Sequence, residues 1–200
     1  MRSTRILAIT GSLRARSSNT AVLRAVALLA PREVRVTLFR GLDALPHFNP
    51  DLDVEGMAPP PGVRAFRQRV CNADALLISS PEYAHGVPGA LKNALDWLVS
   101  VPELYQKPVG LLNVSVRSTH AHASLTEILR TMSMAVIPAA LIAVPVSGRG
   151  LDAVAIARDP ELAGALRAVI DGLAEAAGEG ARSRHPARAP GLLQEFGDGS

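Results

Sequence analysis

The chain has 200 residues, of which 48% are hydrophobic and 20% charged, and this balance is typical of one globular domain with a buried core. Aromatic residues make up only 4% of the chain. Residues 1–40 carry a net charge of +7 and the remaining residues −4, but the arginines of the first segment are scattered. Nucleic-acid binding is therefore not expected. A local anionic ligand near the first loop explains this bias more simply. The single cysteine, Cys71, excludes an internal disulfide and a cysteine metal cluster, which predicts a reducing, cytoplasmic location.

Strand and helix signals alternate along the chain. Strands are predicted at Arg5–Thr10, Val34–Phe39, Ala75–Ser79, Val109–Val114 and Ala139–Val144. Helices are predicted between the first loop and Pro31, over Val63–Asn72, after Pro88, near His122–Met134 and from Pro160. Residues 41–62 are rich in proline, glycine and aspartate, which predicts a long excursion over the surface.

Two segments bear on the limits of the domain. The longest apolar run, residues 135–146, is too short to cross a bilayer, so we expect no membrane contact. From Gly178 the chain is rich in glycine, arginine and proline and has little periodicity. We therefore expect one domain over residues 1–177 and a flexible tail over residues 178–200.

Repeated βα units predict a parallel sheet with helices on both faces, because right-handed crossovers place successive helices over the sheet. Sheets of this kind bind ligands beyond the carboxyl ends of their strands, where the strand order reverses. The loops after the first, third and fourth strands are therefore the candidates for chemistry.

The loop after the first strand, Gly11–Ser18, is rich in hydroxyl groups and opens onto a helix N-terminus. It has one glycine where a dinucleotide fingerprint needs three, and it lacks the ending of a Walker A loop. Free backbone N–H groups, the helix dipole and the Arg14 guanidinium favour a phosphate there. The alternative is a solvated loop whose serine and asparagine side chains only cap the helix, and this loop alone does not decide between the two. Arg16 and Arg24 are expected to be surface residues.

Two long motifs carry a family resemblance. The first motif is Gly-Ser-Leu-Arg at residues 11–14, followed by Ser-Ser-Asn-Thr at residues 17–20. The second motif begins in the loop after the third strand and covers residues 81–97, with the sequence Pro-Glu-Tyr-Ala-His-Gly-Val-Pro-Gly-Ala-Leu-Lys-Asn-Ala-Leu-Asp-Trp. Over roughly residues 4–175 the chain resembles the NAD(P)H-dependent FMN reductases, a family that includes quinone, chromate and azo-dye reductases. The resemblance implies a flavodoxin-like three-layer α/β/α sandwich with a five-stranded parallel sheet in the order 2-1-3-4-5.

The same resemblance assigns site residues. The FMN phosphate would be held by Ser12, Arg14, Ser17, Asn19 and Thr20, and the isoalloxazine ring would be bordered by Pro81, Glu82 and Tyr83. The family's usual Asn-Gly after the tyrosine is replaced by Ala84, His85 and Gly86, so flavin contacts at these positions would come from backbone groups. Asp96 and Trp97 are interpreted as structural or interface residues. Lys92 and Asn93 could support the loop or a partner subunit.

The loop after the fourth strand lacks the glycines usual in the family, and Ser115, Arg117 and Ser118 are its candidate flavin contacts. His120 and His122 have a spacing that suits neither one helix face nor a typical zinc site, so a surface pair is expected. Asp51 and Asp53 lack the glycine and glutamate of an EF-hand and are expected to be solvated.

The predicted activity is hydride transfer from NAD(P)H to bound FMN and then to a small acceptor: a quinone, free flavin, an azo compound or a chromate-like oxyanion. No side chain is required as nucleophile or general base, because the flavin carries the chemistry. A flavodoxin-type carrier serving a protein partner is the alternative, and the pI near 9.6 disfavours it, since such carriers tend to be acidic. A fold kept only for interaction is disfavoured by the intact first and third loops. The resemblance also implies a homodimer or homotetramer.

Overall fold

The structure is a computed structural model that describes residues 3–184. Its strands are β1 (Thr4–Thr10), β2 (Val34–Phe39), β3 (Ala75–Ser79), β4 (Pro108–Asn113) and β5 (Ala135–Ala143). Its helices are α1 (Ser18–Leu29), α2 (Pro61–Asn72), α3 (Gly89–Asp96), α4 (His120–Thr131), α5 (Ala153–Arg158) and α6 (Pro160–Arg184). Among these elements, no helix is both long enough and apolar enough to cross a membrane.

The five strands form one parallel sheet in the order β2-β1-β3-β4-β5, with β1 and β3 side by side at its centre. The predicted fold class is confirmed. The chain moves from β1 out to β2 and then returns to β3 on the other side of β1, so the strand order reverses between β1 and β3. The carboxyl ends of these two strands are therefore the expected place for a ligand.

The central strands are apolar on both faces because helices cover the sheet on both sides. Leu7 and Ile9 of β1 pack into a core with α2, α3 and α4, whereas Ile6 and Ala8 pack into a second core with α1, α5 and α6. Each of these four side chains is at most 3% exposed. Burial of an Ile or Leu side chain contributes about 1.5–3 kcal/mol, which explains the continuous apolar run from Ile6 to Ile9.

Strand β5 begins at Ala135, earlier than the predicted Ala139, and it contains Pro138. The strand lies at the edge of the sheet, and its pairing with β4 changes register between Val109 and Leu111. Proline is tolerated at such edge irregularities because the ladder there does not need its missing N–H. The predicted strand began after this proline, whereas the observed strand extends through it.

The excursion over residues 41–60 is tied to α3 and to the residues that follow it. The Asn93 side chain accepts a hydrogen bond from the Phe48 N–H (2.7 Å) and donates one to the Pro46 carbonyl (3.0 Å). The Trp97 indole N–H also donates to the Pro46 carbonyl (2.8 Å), and the Lys92 ammonium pairs with Asp96 (2.6 Å). These contacts give Asn93 and Trp97 a structural role, as predicted for Trp97.

Asp53 is not solvated, contrary to the prediction. Its carboxylate pairs with the Arg67 guanidinium at 2.7 Å and accepts a hydrogen bond from the Ser100 hydroxyl at 2.7 Å. The Asp53 side chain is only 11% exposed. Hydrogen bonding from Arg67 holds the pKa of Asp53 below its ordinary value. The partners lie 14 and 47 residues away in sequence, so no local pattern could have indicated them.

The C-terminal part of the described chain also differs from the prediction. Helix α5 was not predicted, although Asp152 caps it by accepting a hydrogen bond from the Ala155 N–H (2.8 Å). Helix α6 begins after Asp159, as predicted, but continues beyond the expected boundary at Gly178 to Arg184. The remainder of the predicted tail, residues 185–200, lies outside the described residues.

Candidate functional site

A cavity of about 340 Å³ opens at the carboxyl edge of the sheet, between the loops that follow β1, β3 and β5. It is lined by Ser12, Arg14, Arg16, Ser17, Ser18, Asn19, Pro81, Tyr83, Ser147, Gly148 and Gly150. Six of these residues were predicted as flavin contacts: Ser12, Arg14, Ser17, Asn19, Pro81 and Tyr83. The first loop and the third-strand loop, which lie far apart in sequence, therefore meet in one cavity.

The first loop turns sharply because it passes close to the loop after β3. The Gly11 N–H donates to the Ser79 carbonyl (2.8 Å), and a Cβ atom at position 11 would collide with the Ser80 side chain. Glycine is required here for that close approach. Next, the Ser12 N–H donates to the Thr10 hydroxyl (3.2 Å), and the Arg14 N–H approaches the Ser12 hydroxyl (3.4 Å). These side-chain contacts order the loop at the cavity.

Helix α1 starts at the cavity floor. Ser17 caps it by accepting a hydrogen bond from the Thr20 N–H (3.3 Å). Asn19 is 5% exposed, and its side-chain oxygen accepts from the buried Ser79 hydroxyl (2.8 Å), which ties α1 to β3. The Thr20 hydroxyl donates to Thr10 (3.3 Å), and Thr20 does not line this cavity. Ser17, Asn19 and Thr20 thus have structural hydrogen bonds in addition to any contact with a ligand.

The electrostatics of the cavity favour an anion. The Arg14 and Arg16 side chains are exposed, and the first turn of α1 contains no acidic residue. Among residues 3–180, whose side chains the structure describes, neither Arg14 nor Arg16 forms an ion pair. The positive end of the helix dipole adds to these charges.

The loop after β3 is a tight turn. Tyr83 and Gly86 exchange two backbone hydrogen bonds, of 3.1 and 2.9 Å, and both residues between them have positive φ angles: 48° at Ala84 and 58° at His85. A left-handed conformation costs a residue with a side chain about 1–2 kcal/mol, least for asparagine and aspartate, so Ala84 is an unfavourable residue at its position. Of this loop, Pro81 and Tyr83 line the cavity, whereas Glu82, Ala84, His85 and Gly86 do not.

Two contacts fasten this turn to helix α4. The Glu82 carboxylate accepts a hydrogen bond of 2.8 Å from the Ala121 N–H, in the first turn of α4. The rings of His85 and His120 stack with 4.3 Å between their centroids and 10° between their planes. The predicted surface position holds for His120, which is exposed and packs on His85, but not for His122, which is half-buried and whose pKa is lowered by burial.

The loop after β4 is held by hydrogen bonds of its own. The Asn113 side chain accepts from the Ser115 N–H (3.0 Å) and donates to the Ser118 carbonyl (3.0 Å), while the Ser115 hydroxyl accepts from the Arg117 N–H (3.3 Å). Neither Ser115 nor Arg117 lines the cavity, so the structure does not bring these two predicted residues to it.

The loop after β5 was missed as a contributor. Ser147, Gly148 and Gly150 line the cavity, and the two glycines adopt positive φ angles of 78° and 67°. The signal was available in the sequence, because Ser-Gly-Arg-Gly at residues 147–150 follows a strand of the parallel sheet. The described residues contain no group of three or more His, Cys, Asp or Glu side chains that could hold a metal ion.

The sequence profile of the NADPH-dependent FMN reductases matches residues 4–148, which include every predicted site residue. The chain belongs to this family. The predicted family is thus confirmed, and the cavity at residues 12–19 lies where this family's flavin was expected to bind.

Curated proteins with similar sequences are named as reductases. An NADPH:quinone oxidoreductase of Arabidopsis thaliana is 41% identical over 112 residues, covering 54% of this chain and 57% of that protein. An NAD(P)H-dependent FMN reductase of Pseudomonas aeruginosa is 38% identical over 113 residues, covering 56% of this chain and 60% of that protein. The chain therefore spans little more than half the length of these curated relatives.

Among solved structures, the flavoenzyme NAD(P)H:(acceptor) oxidoreductase FerB of Paracoccus denitrificans superimposes with a TM-score of 0.70 at 25% identity. This alignment covers 88% of this chain and 98% of FerB. This chain therefore shares its fold with a flavoenzyme along nearly the whole length of that flavoenzyme.

Proposed function

We propose that this protein is an NAD(P)H-dependent reductase that binds FMN and passes its electrons to a small acceptor such as a quinone. The observation that carries the proposal is the cavity in which Arg14 and the N-terminus of α1 face Pro81 and Tyr83 of the loop after β3. The family match and the reductase names of the relatives support it.

The residues present fit the phosphate of FMN. Ser12, Ser17 and Ser18 offer hydroxyl groups, Arg14 offers a charged donor fork, and α1 offers the positive end of its dipole. The side-chain oxygen of Asn19 is bound to Ser79, so its amide nitrogen is the group it would present to an anion. This donor set suits one phosphate monoester, which favours FMN over a dinucleotide flavin.

The remainder of the cavity suits a flat, partly apolar ring. Tyr83 is 50% exposed at the cavity, and Pro81 restricts the backbone beside it. Glu82 and His85 do not line the cavity, and their contacts with Ala121 and His120 hold the turn against α4. We propose that Glu82 and His85 position the loop and that Ala84 and Gly86 offer backbone groups to the ring. Ser115 and Arg117 remain proposed contacts that would require movement of the loop after β4.

When bound, FMN would supply the two-electron redox chemistry that links the nicotinamide to the acceptor. The chain's own residues need only bind the cofactor, orient its ring and leave one side accessible to both substrates in turn. The reductase names of the relatives favour this activity over the carrier function. A cytoplasmic location and a homodimer or homotetramer complete the proposal.

Titration of the flavin-free protein with FMN and FAD tests the cofactor assignment. We expect FMN to bind more tightly, because the cavity offers donors for one phosphate. The reconstituted protein should then reduce a simple quinone with NADPH as donor. Tighter binding of FAD, or loaded protein without quinone reduction, would overturn the proposal.

A further inference from the structure

A second groove lies beside the cavity already described. It has a volume of about 400 Å³ and runs between α1 and the start of α5. Its lining comprises Ala15, Arg16, Ser17, Ser18, Thr20, Ala21, Arg24, Gly150, Leu151, Asp152 and Ala153. The two spaces share Arg16, Ser17, Ser18 and Gly150, so a molecule bound near the first can extend into the second.

The groove is basic. Arg16 lies before α1, and Arg24 lies in α1, four residues after Thr20 and therefore on the same helix face. Both arginines are exposed, and none of the ion pairs found within the described part of the chain involves them. The lining contains one acidic residue, Asp152, one of whose carboxylate oxygens accepts the Ala155 N–H at the start of α5, so the two arginines leave the groove with a net positive charge. Two guanidinium groups thus remain available to a ligand.

We propose that Arg16 and Arg24 bind the 2′-phosphate on the adenosine ribose of NADPH and so give the enzyme a preference for NADPH over NADH. This inference rests on the proposed function. NADH lacks that phosphate, and an arginine fork is the usual means of accommodating it. The groove has no aromatic residue in its lining on which an adenine could stack, so the phosphate is the group it recognises best.

Arg24 is the residue to substitute, because it lines the groove but not the flavin cavity. The Arg24→Ala variant should lose roughly tenfold in kcat/KM with NADPH, the low end of the range for one charged hydrogen bond. Activity with NADH should remain unchanged, and Arg24→Glu should lose more with NADPH. Arg32→Ala and Arg32→Glu are matched controls, since Arg32 is exposed before β2, at the opposite end of the sheet. A variant that keeps the ratio of NADPH to NADH activity would overturn the inference.

A binding measurement tests recognition of the 2′-phosphate independently of catalytic turnover. Calorimetry on the FMN-loaded and flavin-free protein would compare 2′,5′-ADP, 5′-AMP and inorganic phosphate. We expect 2′,5′-ADP to bind best and to lose roughly tenfold in affinity on Arg24→Ala. Equal binding of 2′,5′-ADP and 5′-AMP, or phosphate binding as tight as that of 2′,5′-ADP, would overturn the inference. Failure of FMN to bind would instead contradict the proposed function. The calorimetric comparison on the flavin-free protein would still test whether Arg16 and Arg24 recognise the 2′-phosphate.

Discussion

The carboxylate of Glu82 caps helix α4 from outside that helix, by accepting the Ala121 N–H at 2.8 Å. Glu82 follows β3, so one hydrogen bond joins the loop at the cavity to a helix that begins 38 residues later in sequence (120 − 82). A carboxylate at a helix N-terminus satisfies a free N–H group and interacts favourably with the dipole. The position of the turn over Tyr83–Gly86 therefore depends on α4.

Replacement of Glu82 by alanine should destabilise the protein. We expect the free energy of unfolding to fall by about 1 kcal/mol, as for the loss of other helix caps, and by less for Glu82→Gln, which keeps an acceptor oxygen. Urea denaturation measures the change. Glu55→Ala is the control, because Glu55 is an exposed acid outside any helix. Equal stability of the Glu82→Ala and Glu55→Ala variants would show that the cap contributes nothing.

Ala84 should be improvable by residues that tolerate its backbone conformation. With φ at 48°, Ala84→Gly and Ala84→Asn should each raise the free energy of unfolding by about 0.5–1 kcal/mol, the relief of left-handed strain less the added freedom of the unfolded chain. Thermal unfolding measures this. Ala58→Gly, at an exposed position that has no positive φ, is the control and should not stabilise. A lower melting temperature for Ala84→Gly would contradict the assigned turn.

Arg14 should matter for the cofactor and not for the fold. Loss of a charged hydrogen bond costs about 1.5–3 kcal/mol, so Arg14→Ala should weaken FMN binding roughly 10- to 150-fold. Fluorescence titration measures the affinity, and circular dichroism should remain native. Arg40→Ala removes the same charge at an exposed residue that does not line the cavity. If both variants bind FMN like the unsubstituted protein, Arg14 is a surface residue only.

The Asp53–Arg67 pair should make stability depend on pH. The pKa of Asp53 is lowered in the folded protein, so its contribution is present above the unfolded pKa of about 3.9 and is lost as the pH falls through the lower folded value. Asp53→Asn should therefore cost about 1–2 kcal/mol near neutral pH, and the cost should shrink below about pH 4. Urea unfolding of both proteins near neutral pH and again below about pH 4 measures this cost. A cost that is independent of pH would exclude the charge as its cause.

Local sequence signals were sufficient to predict most strands and helices and the fold class. The apolar run at Ile6–Ile9 and the start of α6 at Pro160 were predicted because each depends on neighbours in the chain. The first loop and Pro81–Tyr83 could be assigned to one edge because parallel strands place their carboxyl ends together. Their meeting in one cavity follows from that rule.

The failures involve contacts between distant segments. Asp53 looked solvated because its partner Arg67 lies in a helix that no motif links to it. His120 and His122 were interpreted together because they lie two residues apart in sequence, although the His120 ring packs on His85. The loop at residues 147–150 was overlooked because the prediction considered only the loops after three strands. Such contacts depend on how elements pack together, and hydrophobic periodicity indicates which face of an element is buried but not which distant residue it contacts.

The central claim is that the chain holds FMN and moves electrons through it, and an anaerobic spectrum tests this most directly. Protein loaded with FMN is mixed with NADPH in the absence of oxygen, and a quinone is then added. The visible absorbance of the flavin should bleach on addition of NADPH and return on addition of the quinone. A flavin that stays oxidised with NADPH, or that stays reduced in the presence of the quinone, would contradict the claim.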